Sequence, residues 1–172
     1  MASVKKNLVL LGMMAVGKTT LGKIAAKELS LEFIDTDLCV EKKNFMTIKE
    51  IFDKKGEKFF RKEEEVEVLN SIKKNNCLIA IGGGAFINKI VRENILKNCI
   101  SIWLDTNIRT LNERIKLNTK RPLLKKENNL KKLENLYNSR KEIYTLANHK
   151  IVCDKLNKKK IAIKIKELYE KQ

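Results

Sequence analysis

Residues Leu8-Val9-Leu10-Leu11-Gly12-Met13-Met14-Ala15-Val16-Gly17-Lys18-Thr19-Thr20 carry an apolar run straight into the pattern G-x-x-x-x-G-K-T. The run is short, uninterrupted and aliphatic, which is how a strand buried on both faces reads. The glycines that follow let the backbone curl so that its N–H groups converge on an anion. A lysine at the loop's end reaches outer phosphates, and the next hydroxyl is placed to ligate Mg²⁺. Leu21, Ile24, Ala25 and Leu29 then repeat at helical spacing. Strand, phosphate loop and helix therefore occur in the order that aims a helix N-terminus at a nucleotide phosphate. Gly12, Met13, Met14, Ala15, Val16, Gly17, Lys18, Thr19 and Thr20 are the candidate triphosphate contacts.

Outward from this loop, short apolar segments alternate with amphipathic ones, the signature of an α/β fold with a parallel sheet. Strands are expected at Leu8–Leu11, Glu32–Asp35, Leu78–Ile81, Ile100–Leu104 and Lys150–Cys153. Helices are expected at Lys18–Leu29, Thr47–Lys54, Glu57–Lys74, Asn88–Leu96, Asn107–Leu117, Leu130–Ala147 and Lys158–Tyr169. One domain is expected over all 172 residues. Two stretches interrupt the alternation: a helical insertion at about 36–74 and a polar, positive connection at about 118–129. A substrate-binding segment and a lid would look like this; a helical elaboration and a surface loop would too.

Composition narrows the class. The hydrophobic share is 43%, ordinary for a globular chain. No apolar stretch reaches the length of a membrane span and no signal peptide is visible, so a cytoplasmic protein with no membrane partner is expected. Cys39, Cys77, Cys99 and Cys153 are too scattered for a zinc site and read as reduced thiols, mostly buried. The net charge of +16 raises the question of nucleic acid, but aromatics are only 6% and do not interleave with the basic clusters. Lysine-rich helix faces account for the charge, and no nucleic-acid partner is expected.

Several residues outside the loop have the chemistry of phosphoryl transfer. Asp35 and Asp37 close the second strand, where period-two alternation puts both carboxylates on one side. One can serve a metal and the other a substrate hydroxyl; Asp37 as a helix cap is the plainer alternative. Gly82-Gly83-Gly84 ends the third strand and leaves backbone amides open to close approach. Arg140 shares a helix face with Leu133, Tyr137 and Tyr144, where a charge needs an anionic partner or a route to water. Arg61 follows Phe59-Phe60 and can either bridge to Glu64 or, held by it, meet a substrate carboxylate with its fork. Arg121 precedes Pro122, which keeps it out of a helix and in the polar connection.

Taken together, these segments resemble the shikimate kinase family over nearly the whole chain. The matching stretches are Gly12–Thr20, Phe33-Ile34-Asp35-Thr36-Asp37, Glu50-Ile51-Phe52, Gly56-Glu57, Phe60-Arg61 with Glu64, Gly82-Gly83-Gly84-Ala85, Arg121-Pro122-Leu123-Leu124, and Arg140 with Tyr144. The resemblance implies a P-loop kinase fold with a five-stranded parallel sheet in the order 2-3-1-4-5, a shikimate-binding helical segment and a lid. It implies ATP-dependent phosphorylation of the 3-hydroxyl of shikimate, with ATP and shikimate as the small-molecule partners and Mg²⁺ as cofactor. A monomer is expected. Lys18, Asp37 and Arg121 would be catalytic. Thr19 and, through water, Asp35 would serve the metal. Asp37, Arg61, Gly82, Gly83, Gly84 and Arg140 would bind shikimate, and Arg114 and Arg121 would join the ATP site, Arg114 against adenine. Ala15-Val16 departs from the family, which often has glycine and then a small residue there. The competing readings are a related kinase acting on gluconate or a nucleoside monophosphate, and an inactive kinase-like binding protein.

Overall fold

The computed structural model describes residues 6–117 and 129–171. Its centre is a five-stranded parallel sheet in the order β2-β3-β1-β4-β5, formed by β1 (Asn7–Leu11), β2 (Glu32–Asp35), β3 (Cys77–Ala80), β4 (Cys99–Asp105) and β5 (His149–Val152). Strand β1 is buried at every position because it lies between two neighbours. Leu8 pairs with Leu78 on one side and Ile100 on the other, and Leu10 with Ala80 and Ile102. From β1 the chain runs one way to β2 and β3 and the other way to β4 and β5. That reversal opens a crevice beyond the carboxyl end of β1, where open α/β sheets bind ligands.

Helix α1 (Lys18–Leu29) follows the phosphate loop and buries Leu21, Gly22, Ala25 and Ala26. Gly22 is needed there: a Cβ would fall 2.5 Å from the Phe33 ring. Helix α2 (Thr36–Asn44) and α3 (Ile48–Ser71) fill the insertion. The expected pair of helices is found in α3, as two helical stretches that meet at Gly56, whose φ of 81° and ψ of 168° are not helical. Thr47 and Glu50 form a reciprocal capping box at its start. The insertion has its own small core of Val40, Ile51 and Phe60, with Phe52 and Phe60 rings 4.9 Å apart, separate from the main core around the sheet.

The remaining helices are α4 (Lys89–Asn98), α5 (Ile108–Leu117), α6 (Asn129–Tyr144) and α7 (Lys158–Glu170). Asn88 and Asn157 cap α4 and α7 through side-chain oxygens. All five strands and all seven expected helices are present within a few residues of their expected ends. Helix α2 is an addition to that set. Cys77, Cys99 and Cys153 are buried and Cys39 is half-buried. None of the described helices is long and apolar enough to cross a membrane. Residues 118–128, and with them Arg121 and nearly all of the expected lid, lie outside the described residues.

Candidate active site

Three adjacent strands deliver the site. Because β1 neighbours β3 and β3 neighbours β2, their carboxyl ends place the phosphate loop, the triple glycine and the Asp35–Asp37 segment side by side. The loop turns at Gly12 (φ 138°), where a Cβ would lie 2.4 Å from the Leu104 carbonyl oxygen, so only glycine fits. Met13 and Val16 point inward and are 2% exposed, anchoring the loop to the core. Gly17 (φ 106°) starts α1 with no side-chain cap, which leaves first-turn amides for an anion. The Lys18 ammonium donates to the carbonyls of Gly12 at 2.9 Å and Met13 at 3.0 Å, so it is drawn over the loop it follows. Arg114 on α5 donates to the Ala15 and Val16 carbonyls at 3.3 and 3.2 Å. Its guanidinium thus lies on the outer side of the same loop.

The expectation for the two aspartates needs a correction. Asp37 does not end the strand; it lies in the first turn of α2. The residue that caps α2 is Asp35, whose Oδ1 accepts from the backbone N–H groups of Asp37 and Leu38 at 3.1 and 3.3 Å. Its other oxygen, Oδ2, accepts from the Thr19 hydroxyl at 2.6 Å. Strand alternation therefore is not what aligns the two carboxylates; a capping turn is. Asp37 is half-buried and borders the triple glycine: a Cβ at Gly82 would sit 2.7 Å from Asp37 Oδ1 and 2.3 Å from Glu64 Oε1.

Thr19 and Asp35 make a pair of hard oxygen donors. Mg²⁺ takes few protein ligands and fills its octahedron with phosphate oxygens and water, so the pair fits such an ion. Among the described residues there is no cluster of three or more His, Cys, Asp or Glu side chains that would hold a metal without those additional ligands.

The two arginines meet on the far side of the triple glycine. Arg61, on α3, donates from Nη1 to Glu64 at 2.8 Å and from Nε and Nη2 to Glu57 Oε1, both at 3.2 Å. A Cβ at Gly84 would be 2.4 Å from Arg61 Nη1, and one at Gly83 would be 3.4 Å from Arg140 Nη1. The glycines are thus the floor on which both guanidinium groups rest. Glu64 is 3% exposed. Burial pushes its carboxyl up, against the pull of Arg61 and the weaker pull of Arg140. At Arg61 the balance is opposite: burial would lower it, but Glu64 and Glu57 together hold it above its usual value. Desolvation dominates at the deeper partner and charge at the shallower one, as expected for a pair at the base of an open cleft. That cleft has a volume of about 490 Å³ and includes Arg61, Glu64, Gly84 and Arg140 in its walls.

Tyr144 was not expected to be more than a neighbour of Arg140 on the helix. It is fully buried and its hydroxyl donates to the Gly83 carbonyl, clamping the triple glycine from α6. Burial raises its phenol, with Arg140 opposing. The signal for it in the sequence was its spacing of one helical turn from Arg140.

Comparison with known proteins gives a consistent set of relatives. A family model described as shikimate kinase matches residues 14–170. The shikimate kinase of Bacillus subtilis (strain 168) is 39% identical over 160 residues, covering 92% of this chain and 86% of that protein. That of Sulfurihydrogenibium sp. (strain YO3AOP1) is 38% identical over 150 residues, covering 87% and 89%. Among solved structures, shikimate kinase from Acinetobacter baumannii in complex with shikimate superposes with a TM-score of 0.91 at 33% identity, covering 97% of this chain and 94% of that one. A gluconokinase from Sinorhizobium meliloti 1021 reaches a TM-score of 0.59 at 12% identity, a likeness of fold alone. On the strength of a family match spanning most of its length, the chain belongs to the shikimate kinase family.

Proposed function

We propose that this protein phosphorylates the 3-hydroxyl of shikimate with ATP, giving shikimate 3-phosphate and ADP in the route to chorismate and the aromatic amino acids. The observation that carries this reading is the juxtaposition of Arg61, Arg140 and Asp37 around Gly82–Gly84, one strand away from Lys18. Two cations suit a carboxylate, an acid beside them suits a ring hydroxyl, and a phosphate loop next door suits the donor.

Shikimate enters the cleft with its carboxylate toward Arg61 and Arg140 and its hydroxyls toward Asp37 and the triple-glycine backbone. Asp37 orients the attacking hydroxyl and accepts its proton. The loop amides of Gly12–Thr20 and the ammonium of Lys18 hold the β- and γ-phosphates, and Lys18 leaves the Gly12 and Met13 carbonyls for that contact. Arg114 braces the loop near the adenine side. Arg121 lies outside the described residues; the role proposed for it is to neutralise charge on the phosphates. Thr19 and Asp35 would hold Mg²⁺, which when bound would neutralise charge on the phosphate oxygens. Phosphoryl transfer passes through a loose transition state, so these groups act by positioning and by electrostatics rather than through a phosphoenzyme.

The test is ADP release measured with ATP and Mg²⁺, with and without shikimate, and with gluconate or a nucleoside monophosphate instead. Shikimate-dependent ADP formation is the expected result. Turnover with another acceptor and none with shikimate would overturn the substrate assignment. No ADP under any condition would favour an inactive binding protein.

A further inference from the structure

We propose that Glu57 holds the edge of Arg61 that the substrate carboxylate takes, and is displaced when the substrate binds. The inference rests on the reading above, in which Arg61 takes the carboxylate of shikimate.

A guanidinium offers five N–H donors in a fixed fork. Glu64 takes one at Nη1. Glu57 Oε1 takes Nε and Nη2 together, which is the side edge that grips a carboxylate with two parallel bonds. Gly84 is packed under the face of the guanidinium, since a Cβ there would meet Nη1, Cζ and Nη2 within 3.0 Å. The edge best shaped for an incoming carboxylate is therefore already holding one.

The two glutamates differ in how they can leave. The Glu64 side chain is 4% exposed, and moving it would strand a guanidinium beside the glycine floor. The Glu57 side chain is 66% exposed, so it can swing into water with almost no change in solvation. Exposed ion pairs one helical turn apart are weak. Glu57 also directly follows Gly56, the non-helical break in α3, so it lies in the first turn of the segment that carries Arg61. The helix dipole there favours a carboxylate, which gives Glu57 a place to rest that does not depend on ligand.

Charge completes the case. Glu57, Glu64 and Glu65 stand against Arg61 and Arg140 around the cleft. The surplus is acidic, wrong for an anionic ligand, and release of Glu57 to solvent removes it. Glu57 keeps the fork aligned; on binding, one carboxylate replaces another. An anion that binds Arg61 more weakly than Glu57 does is refused, so the exchange contributes to selectivity.

The experiment is calorimetric titration of Glu57→Gln and of the unaltered protein with shikimate and with its uncharged methyl ester. Glutamine keeps the size of the side chain and, at an exposed position, keeps the fold. The expected result is tighter binding of shikimate, by about 2- to 5-fold, the range of an exposed charge pair, with ester affinity changed by less than about 1.5-fold. Unchanged or weaker binding of shikimate would overturn the proposal and make Glu57 only a support for Arg61. Equal tightening of acid and ester would overturn it as well, because crowding rather than charge would then be what Glu57 contributes. Arg61→Ala is titrated alongside. If it binds shikimate as well as the unaltered protein, the underlying carboxylate reading fails; if it loses at least tenfold while Glu57→Gln gains nothing, only the exchange fails.

Discussion

The Thr19 hydroxyl and the Asp35 carboxylate are 2.6 Å apart, a bond that joins the first turn of α1 to the end of β2. Asp35 spends its other oxygen capping α2. One side chain thus links the metal-competent hydroxyl to the helix that carries Asp37. Asp35→Asn keeps a capping oxygen but loses the charge. The Mg²⁺ concentration for half-maximal ADP formation should rise by about tenfold, on the scale of a lost outer-sphere partner. Rates at saturating Mg²⁺ should recover in large part. An unchanged Mg²⁺ dependence would remove Asp35 from the metal site.

Asp37 has a different task and a different signature. It lies beside Gly82, whose Cβ position is also approached by Glu64, where a substrate hydroxyl would meet it. Asp37→Asn keeps the shape and removes the proton acceptor. A loss in kcat of at least ~10²-fold is expected, the scale of general-base assistance, with a smaller change in shikimate affinity. Steady-state kinetics separate the two, and a change confined to KM would assign Asp37 to binding alone.

Sequence reasoning captured the parts of this site encoded within a few residues. The phosphate loop, the triple glycine and the break at Gly56 all depend on local backbone geometry, which glycine spacing reports directly. The parallel sheet followed from apolar runs, because strands buried on both faces cannot hide them. Helix α2 received no bounds of its own within the helical insertion for a physical reason: Thr36–Asn44 buries only Thr36 and Val40 and carries almost no amphipathic signal. It forms because Asp35 caps it and Val40 plugs the small core of the insertion. Asp37 was consequently placed on a strand, with the right neighbours but the wrong cause. Glu57 was read as part of a motif and no more, since its contact with Arg61 concerns which edge of a guanidinium is occupied, and spacing does not encode that. Tyr144 reaches Gly83 across 61 residues of chain, a pairing only the fold brings about.

Ala15, one of the departures from the family pattern, has φ 62°, in the left-handed region. An L-residue there is strained by roughly 1–2 kcal/mol, and glycine relieves this at some entropic cost in the unfolded chain. Ala15→Gly should therefore stabilise the protein by about 1 kcal/mol or slightly less, a rise in Tm of about 2–4 °C for a chain this size. The Ala15 carbonyl that receives Arg114 is retained. Thermal melting checks the prediction. A lower Tm would mean that the methyl group's contacts in the loop outweigh the backbone strain.

The tyrosines give a readout of the fold at alkaline pH. The chain has 3, and all are shifted in one direction. Tyr137 is raised to about 12, first by burial and then by Asp105, which accepts its hydroxyl at 3.1 Å. Burial also raises Tyr144 and Tyr169. A phenol whose folded pKa exceeds its unfolded value of 10.0 favours the folded state while protonated. That contribution is complete below pH 10 and is lost as the pH climbs through about 12. Absorbance at 295 nm should therefore stay nearly flat through pH 10 and rise only as the fold weakens, together with the loss of far-ultraviolet circular dichroism. Tyr137→Phe should flatten the decline in urea stability between pH 10 and 12, because one of the phenols that resist ionisation in the native state is gone. Ionisation of the native protein with a midpoint near 10 would contradict the burial of these rings, and an identical decline in the variant would show that the Tyr137–Asp105 contact adds nothing to it.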